Sequence, residues 1–421
     1  MSDLHVAFVG LGYIGLPTAV VLANSGVNVT GIDVNAANVE RINRGEVTIV
    51  EPGLQEELTQ ALESGRFRAT TEQVHANAYI IAVPTPFTDT HDVDMKFIYS
   101  AAESIAPQLE GDELVVLEST SPPQTTAKMA KRLLELRPDL AADGTENPDN
   151  KPVIYFAHCP ERILPGYAMK ELRTNDRIIG GQTPEATRRA TEIYAAFCDG
   201  ELLPTDDVTA EMAKLTENSF RDVNIAFANE LSLIAEKLDI NVWELIELAN
   251  HHPRVNILQP GPGVGGHCIA VDPWFIVAAD PENSKLIHTA RNVNDGKPAW
   301  VKAQVKEAIS ATNAQSVAVL GLAFKADIDD LRESPAVNIA VDLAEELEGI
   351  TFHAVEPNIS ELPKRLKGFD NVTLTALDDA ITKADVVLLL VDHKEFKALG
   401  TNFLEGKTVI DTKGTWSRLP C

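Results

Sequence analysis

The first third of the chain alternates apolar runs with helix-forming segments, which is the pattern of a doubly wound parallel sheet. Residues 6–9 form a short β-branched and aromatic run, typical of a buried parallel strand. A Gly-x-Gly-x-x-Gly segment, residues 10–15, follows directly, and a helix is predicted over residues 16–24. A second predicted strand, residues 27–32, ends at Asp33. This order of strand, glycine turn, helix, strand and acid predicts a dinucleotide site.

Each of the three glycines has a mechanical reason in such a site. Gly10 permits the tight turn, Gly12 lets backbone N–H groups approach a pyrophosphate, and Gly15 lets helix and strand pack closely. The helix N-terminus offers its free N–H groups to the phosphates. Asp33 can accept hydrogen bonds from both adenosine ribose hydroxyls and would repel a 2′-phosphate, so we expect NAD rather than NADP. A glycine-rich motif alone is often only a tight turn.

The βα rhythm continues beyond this motif. Strands are predicted over residues 78–83 and 113–117, and an exposed loop over residues 138–152. Ligands bind at the strand C-termini of such sheets, so Thr85, Ser119 and Thr120 are candidate contacts to a cofactor or in an active site. The alternative is plain turn chemistry.

The C-terminal part repeats the theme. It has one glycine of the motif, Gly321, which is too few to predict a second full dinucleotide site. The predicted strands are residues 316–320, 351–355, 386–391 and 408–410, with a helix from Pro335 to about Leu347.

Between these parts, residues 207–237 contain no Pro or Gly and are rich in helix formers. A helix of roughly 30 residues spans about 45 Å, which suits a connector between domains and a subunit interface. We therefore expect an α/β protein of two doubly wound Rossmann-like domains joined by a long central helix with a small helical middle domain. The expected boundaries are residues 1–205, 206–305 and 306–421.

Composition excludes several classes of partner. The 421 residues carry 36 Lys and Arg against 62 Asp and Glu, a formal charge of −26, which argues against nucleic acid or an anionic membrane. No apolar run approaches the length of a membrane span. Four cysteines without metal-ligand spacing predict neither a disulfide framework nor a metal site, and favour a reducing cytoplasm.

One cysteine lies in a setting that suggests chemistry. Cys268 ends a run of glycines, residues 261–266, and is a candidate nucleophile, although a buried structural cysteine is the commoner case. The neighbouring His267 invites a Cys–His pair, but adjacent residues on extended backbone point opposite ways. We interpret Cys159 and Cys198 as structural, and the terminal Cys421 as incidental.

Two further clusters carry positive charge. Lys214, Asn218 and Arg221 fall at i, i+4 and i+7 on one helical face, where the first two could stabilise an oxyanion. Residues 325–335 form a loop whose Lys325 and Arg332 could bind phosphates or a uronate. A solvated polar face and weak surface ion pairs are the alternatives.

These motifs together resemble the UDP-glucose/GDP-mannose dehydrogenase family over essentially the whole chain. Five spaced motifs carry the resemblance: Gly10–Pro17, Val83–Pro86 with Glu118–Thr120, Lys214-Leu215 with Asn218, Gly265–Cys268 with Asp272, and Lys325 with Asp330–Pro335. Residues 159–166 and 216–233 look most like the branch that oxidises UDP-N-acetyl-D-mannosamine, whose product is a uronic acid of enterobacterial common antigen and related polysaccharides. UDP-N-acetylglucosamine, UDP-glucose, a non-catalytic nucleotide-sugar binder and a two-electron hydroxyacid dehydrogenase are the alternatives.

The resemblance implies a four-electron oxidation of a C6 alcohol with two NAD⁺ and no metal, in at least a homodimer. Cys268 would form a thiohemiacetal and then a thioester, Lys214 and Asn218 would stabilise the alkoxide-like oxygens, and Asp272 would orient or activate water with Thr120. UDP-glucose dehydrogenases have a glutamate where this chain has Pro165. Its acid/base role is expected to move to Glu161 or Asp272.

The resemblance also implies the remaining contacts. The expected cofactor contacts are Gly10, Gly12, Tyr13, Ile14, Gly15, Asp33, Val83, Pro84, Thr85, Ser119, Thr120 and Arg332. The expected substrate contacts are Glu161, Arg162, Lys214, Asn218, Arg221, Gly265, Gly266, Lys325 and, reaching a neighbouring subunit, Arg254.

Overall fold

The computed structural model of this protein describes residues 4–47, 49, 51–88, 92–164, 166–266 and 268–416. Its contacts divide the chain into two compact units, Met1–Thr216 and Glu217–Cys421. The boundary falls inside one helix, Asp207–Lys237, whose ends are those predicted from the sequence.

The first unit is built on a mostly parallel sheet. Its strands are β1 (His5–Val9), β2 (Asn28–Ile32), β3 (Phe67–Thr70), β4 (Ala78–Ile81), β5 (Leu114–Leu117), β6 (Ala141–Ala142), β7 (Val153–His158), β8 (Arg177–Gly181) and β9 (Leu202–Asp206). They lie in the order β3-β2-β1-β4-β5-β7-β8-β9, with β6 paired to β7. Only the pairing of β7 with β8 is antiparallel among these described strands. This is the doubly wound sheet that the sequence predicts.

Helices cover both faces of this sheet. They are α1 (Gly15–Asn24), α2 (Ala36–Asn43), α3 (Leu54–Glu63), α4 (Lys96–Ile105), α5 (Thr125–Leu136), α6 (Ala168–Thr174), α7 (Pro184–Tyr194) and the first part of α8 (Asp207–Lys237). Successive strand residues alternate between two cores. Phe8 and Ile80 face the core that includes α1, α3 and α7, whereas Val9 and Tyr79 face the one that includes α4 and α5. The candidate site residues of this unit follow the C-terminal ends of the strands, at one edge of the sheet.

The predicted exposed loop over residues 138–152 is partly wrong. Leu140, Ala141 and Ala142 are buried, and the last two form β6 beside β7. Three apolar residues between polar neighbours were too short a pattern to predict a strand.

The second unit combines helices with a five-stranded parallel sheet. Its strands are β10 (Ser316–Leu320), β11 (Thr351–Val355), β12 (Val372–Leu374), β13 (Val386–Leu389) and β14 (Thr408–Asp411), in the order β12-β11-β10-β13-β14. Its helices, besides the rest of α8, are α9 (Val242–Asn250), α10 (Asp272–Ala279), α11 (Lys285–Thr312), α12 (Pro335–Glu346), α13 (Leu377–Lys383) and α14 (Lys394–Lys397). The four C-terminal strands and the helix at Pro335 are confirmed, with ends differing by two residues or fewer, and β12 is additional. The expected α/β fold with Rossmann-type N- and C-terminal parts and a helical centre is therefore confirmed.

Helix α11 was not predicted from the sequence. It contains Pro298 in its interior, and its residues are on average slightly more polar than apolar. Buried side chains fix it to α8: Arg291 donates to the Asp222 carboxylate at 2.5 Å, and Asn294 donates to the same carboxylate at 2.8 Å. A long-range polar network, rather than local propensity, specifies this helix.

Candidate active site

The glycine turn after β1 is shaped by contacts that leave no room for side chains. Gly10 has φ +98°, and a Cβ there would lie 2.3 Å from the carbonyl oxygen of Ala82. A Cβ on Gly15 would lie 1.8 Å from the carbonyl oxygen of Gly10. A Cβ on Gly12 would meet nothing within 4 Å, so its backbone faces open space. The turn therefore fits a dinucleotide, whose pyrophosphate would approach at Gly12 and the start of α1.

Asp33 stands beside this turn at the end of β2. Its two carboxylate oxygens accept the N–H groups of Leu11 at 3.0 Å and Asn35 at 2.8 Å. The carboxylate is half-buried, so it keeps a solvent-facing side for ribose hydroxyls. Position and charge both suit NAD, as the sequence analysis expected.

The loops after β4 and β5 are tied together at the same sheet edge. The Ser119 hydroxyl donates to the carbonyl of Val83 at 2.7 Å and accepts its N–H at 2.9 Å. The Thr85 hydroxyl donates to the carbonyl of Thr120 at 2.7 Å. Thr120 is half-buried, and Pro84 between the bonded positions is exposed. The structure thus brings together Val83, Thr85, Ser119 and Thr120, which the sequence analysis proposed as candidate contacts.

Tyr13, inside the glycine motif, is hydrogen-bonded to the carboxylate of Glu51, which the sequence analysis did not identify. Its hydroxyl donates to Glu51 at 2.5 Å, and Glu51 also accepts the N–H groups of Gly166 and Ala168 at 2.8 Å each. Ile14 follows Tyr13 as the N-cap residue of α1. No sequence signal marks Glu51, since two of its partners, Gly166 and Ala168, lie more than 100 residues away.

Glu161 is engaged by a buried arginine. Its carboxylate accepts Arg177 at 3.0 Å and the N–H of Arg162 at 2.6 Å. A second carboxylate, Glu118, lies 3.9 Å from Arg177. Burial, and next the charge of Glu161, raise the pKa of Glu118. Arg177 was not identified from the sequence, and it fixes Glu161 instead of leaving that carboxylate open to solvent.

The cysteines differ in exposure. Cys159 is fully buried, and burial raises the pKa of its thiol to about 12. Cys198 is half-buried and donates to the carbonyl of Asn175 at 3.3 Å. Cys268 is exposed. A reacting thiol must reach its substrate, so the structure leaves Cys268 as the accessible candidate among these three. His267, Pro165 and Cys421 lie outside the described residues.

In the second unit, Cys268 opens the turn that leads into α10. Its carbonyl accepts the N–H groups of Val271 at 3.1 Å and Asp272 at 2.8 Å. Asp272 is the first residue of α10 and is buried, where the helix N-terminus favours a negative charge. Its carboxylate accepts the side-chain N–H of Asn218, also buried, at 2.5 Å. Three predicted site residues thus lie in one connected group.

The glycine segment before Cys268 packs against the loop that enters α12. A Cβ on Gly265 would lie 2.5 Å from Pro335 and 2.6 Å from the carbonyl oxygen of Glu333. Gly266 has φ +85°, and a Cβ there would lie 3.3 Å from the Phe324 ring. Two clusters that are about 60 residues apart in sequence are therefore neighbours in this unit.

The positively charged candidates are placed differently. Arg254 and Lys325 are exposed, and Arg332 pairs with Asp330 at 2.6 Å. On α8, Lys214 is half-buried and Arg221 exposed. Among the residues that the structure describes, no group of three or more His, Cys, Asp or Glu side chains could hold a metal ion. A search of the same residues finds no helix that could span a membrane.

Comparison with known proteins gives matches along almost the whole chain. Three profiles of the UDP-glucose/GDP-mannose dehydrogenase family match: the NAD binding domain at residues 4–198, the central domain at 208–296 and the UDP binding domain at 318–418. The first of these agrees with the expected cofactor, NAD.

Individual relatives are similar over their full length. A UDP-N-acetyl-D-mannosamine dehydrogenase of Salmonella typhi is 55% identical over 99% of this chain and 100% of that protein. An NDP-N-acetyl-D-galactosaminuronic acid dehydrogenase of Ralstonia nicotianae is 52% identical over 98% of this chain and 96% of that protein. The structure of a UDP-N-acetyl-mannosamine dehydrogenase from S. aureus superimposes with a TM-score of 0.85 at 42% identity, covering 98% of this chain and 95% of that one.

Proposed function

The chain belongs to the UDP-glucose/GDP-mannose dehydrogenase family, and on that premise we propose that it oxidises UDP-N-acetyl-D-mannosamine at C6 to the uronate, using NAD. Relatives from S. typhi and S. aureus that bear this activity in their names cover nearly the whole chain. The observation that carries the proposal is the exposed Cys268 on the turn into α10, next to the buried Asn218–Asp272 pair. We also propose the division into residues 1–205, 206–305 and 306–421.

The reaction removes two hydrides from one carbon. NAD⁺, when bound, accepts one hydride in each oxidation. In the first, the C6 alcohol loses a hydride and a proton to become an aldehyde. The Cys268 thiolate then adds to the aldehyde carbon, and the oxygen takes up a proton to give a thiohemiacetal. A second loss of hydride and proton leaves a thioester. Water attacks its carbonyl, the C–S bond breaks, and the uronate and the thiolate are released together with the two protons of the water.

Asn218 suits the stabilisation of negative oxygen. Asp272 is an acceptor, so the hydrogen-bond network orients the Asn218 amide with its nitrogen toward that carboxylate. The second N–H of the amide then remains for a substrate oxygen, and its direction is fixed by the first bond. Lys214, one helical turn earlier on α8, supplies a positive charge for the same task.

Asp272 is our choice for the residue that activates water, with Thr120 as its helper. The carboxylate is buried at the start of α10 and bonded to Asn218, so it has a fixed position. Glu161 is the other candidate, but Arg177 and the N–H of Arg162 already occupy its oxygens. We assign Glu161 a positioning role.

A homodimer is the proposed assembly. Phe220, Phe227 and Ile234 on α8 are 68%, 52% and 46% exposed, and their spacing of seven residues places them along one side of the helix. A second copy of α8 would cover this apolar seam. Light scattering should give twice the 45.7 kDa of one chain. A fully active species of one chain would contradict the proposal.

The second candidate substrate is the galacto-configured UDP-N-acetylhexosamine, because the R. nicotianae relative is almost as similar. UDP-N-acetylmannosamine, UDP-N-acetylgalactosamine, UDP-N-acetylglucosamine and UDP-glucose are each supplied with NAD⁺, and NADH is counted per sugar consumed. Two NADH per UDP-N-acetylmannosamine, with at least about tenfold higher kcat/KM than the other sugars, is the expected result. A preference for another sugar transfers the assignment to it, and one NADH per sugar contradicts the thioester route.

Cys268→Ser tests the nucleophile directly. The hydroxyl is a far weaker nucleophile, so uronate formation should fall by at least about a thousandfold. NAD binding, measured by calorimetry, should stay within about twofold. Cys198→Ser is the matched control, since it changes a half-buried thiol in the other unit. Normal uronate production by Cys268→Ser would remove this residue from the mechanism.

A further inference from the structure

His393 is a fully buried histidine that the proposed reaction does not use. It lies between β13 and α14, and its ring packs edge-on against Phe396 at 5.3 Å between centroids. Both ring nitrogens are hydrogen-bonded: Nε2 to the Glu356 carboxylate at 3.0 Å, and Nδ1 to the N–H of Asp327 at 2.9 Å. A backbone N–H can only donate, so Nδ1 is the acceptor and the proton sits on Nε2. The geometry thus specifies one neutral tautomer.

The two bonds of His393 act on the two ends of one short loop. Glu356 also accepts the N–H groups of Leu322 at 2.8 Å and Ala323 at 3.0 Å, so it holds the start of the loop. Asp327, at the other end, has φ +62°, a left-handed conformation that is uncommon for a non-glycine residue. Its side chain accepts the N–H of Lys394, next to the histidine, at 3.0 Å.

The loop held in this way, residues 322–327, carries two features of the site. Lys325, near its middle, is exposed. Phe324 lies under the glycine segment, with its ring 3.3 Å from the position of a Cβ on Gly266. That segment leads directly to Cys268. A shift of the loop would therefore move a cation and would also change the support of the segment that carries the thiol.

We propose that His393 is a positioning residue for the nucleotide-sugar site, because its Nδ1 fixes Asp327 and with it the far end of the loop that presents Lys325. The Nε2–H bond to Glu356 selects the tautomer, while Glu356 holds the start of the loop through its own bonds to the Leu322 and Ala323 N–H groups. The inference rests on the proposed function, in which Lys325 contacts the anionic substrate. It adds a residue that touches neither substrate nor cofactor and acts through the backbone of 322–327.

Two substitutions separate the two hydrogen bonds. In His393→Asn the side-chain oxygen can occupy the place of Nδ1 and still accept the Asp327 N–H, while the bond to Glu356 is lost. In His393→Gln the terminal NH₂ can occupy the place of Nε2 and still donate to Glu356, while the acceptor for Asp327 is lost. Both variants are smaller than histidine, and Asn is smaller than Gln by one methylene group, so both should lower the melting temperature and His393→Asn should lower it more.

The expected results differ between the variants. His393→Gln should raise KM for the nucleotide sugar at least about tenfold, with KM for NAD⁺ within about twofold. His393→Asn should stay within about threefold of the unaltered enzyme in both constants. The rate at which iodoacetamide alkylates Cys268 should change in His393→Gln and not in His393→Asn. His353→Gln, a half-buried histidine on β11, is the matched control and should leave all three measurements unchanged.

Equal KM changes in the two His393 variants, or no change in either, would overturn the proposal and leave His393 a purely structural residue. Failure of the proposed function is recognised separately, because the unaltered enzyme would then form no NADH with any of the nucleotide sugars.

Discussion

The two Rossmann-type halves share a framework and differ in the hydrogen bonds that one carboxylate makes. Both have the parallel order β3-β2-β1-β4-β5 or its equivalent, β12-β11-β10-β13-β14. Both turn after the first strand at a glycine of positive φ, Gly10 at +98° and Gly321 at +91°. Both place an acid after the second strand, Asp33 in one half and Glu356 in the other.

In the N-terminal half the carboxylate is partly exposed and can still bind a ligand, whereas in the C-terminal half the carboxylate is buried and bonded within the protein. Asp33 accepts two backbone N–H groups and remains half-buried. Glu356 is buried and accepts Leu322, Ala323 and His393. The N–H of Ala323 corresponds to the position where an open turn would receive a pyrophosphate. The comparison teaches that a shared topology does not make a second dinucleotide site, because the C-terminal turn satisfies its donors internally.

The largest expected effect tests the packing of the N-terminal turn. In Gly15→Ala the new Cβ would lie 1.8 Å from the Gly10 carbonyl oxygen, and backbone cannot yield to it cheaply. NAD affinity, measured by calorimetry, should fall at least about a hundredfold, together with a loss of melting temperature.

Gly12→Ala is the control for that substitution. Its Cβ would meet nothing within 4 Å, so the melting temperature should not change, while NAD binding should weaken about tenfold because the approach to the backbone is blocked. Equal melting temperatures for the two variants would contradict the packing argument.

The second prediction compares the pH response of the halves. Burial raises the pKa of Glu211 to about 7, and its carboxyl group accepts the N–H groups of Gln124 and Thr126 at the start of α5. An acid whose pKa is raised by folding contributes stability below its ordinary pKa of 4.5 and loses it as pH rises through 7. The free energy of unfolding of the N-terminal half should therefore decrease by up to about 3 kcal/mol between these pH values.

Glu356 should show the opposite sign. Burial alone would raise its pKa, but the hydrogen bonds from His393 and from the Leu322 and Ala323 N–H groups outweigh burial and lower the pKa. Its contribution is present above the ordinary pKa and is lost as the pH falls below it. Melting curves of Glu211→Gln and Glu356→Gln from pH 3 to 8 check both signs. Glu211→Gln should reduce the change of melting temperature with pH above pH 4.5, and Glu356→Gln should reduce the change below pH 4.5. If both carboxylates stabilised the protein in the same pH range, the contrast between the halves would be refuted.

The smallest expected effects come from replacing the two acids, Asp33 and Glu356, by the corresponding amides. Asp33→Asn should weaken NAD binding about tenfold to a hundredfold, since a hydrogen bond to a charged group contributes about 1.5–3 kcal/mol. Glu356→Gln should instead lower the free energy of unfolding by about 1–3 kcal/mol and leave the NAD dissociation constant unchanged. Calorimetry and urea unfolding on both variants give the test. A loss of NAD affinity in Glu356→Gln would break the comparison.

The parts of the fold that follow local periodicity were predictable, and those that depend on distant partners were not. Helix α8 and strands β10 and β11 have the predicted ends, because residue type changes sharply at their boundaries. Helix α11 contains Gly296 and Pro298, which argue against a helix locally, and the polar contacts of its buried side chains with α8 override them.

The same distinction holds for the site. The motifs predicted a candidate cofactor turn and the segment of Cys268, because glycine spacing and a cysteine among glycines are local signals. Glu51, Arg177 and His393 were missed, since each has its role only through partners brought close by the fold. The engagement of Glu161 by Arg177 was likewise invisible in the sequence, although it decides how available that carboxylate is.

The close packing at Gly265 and Gly266 also limits how this enzyme can be diversified. Any side chain at Gly265 collides with Pro335 and with the Glu333 carbonyl, so a mutant library at that codon should return almost only inactive clones. Exposed positions such as Lys325 and Arg254 have no such barrier. New sugar preferences, whether selected in the laboratory or by evolution, should therefore accumulate at exposed positions such as these, while the glycine segment stays unchanged.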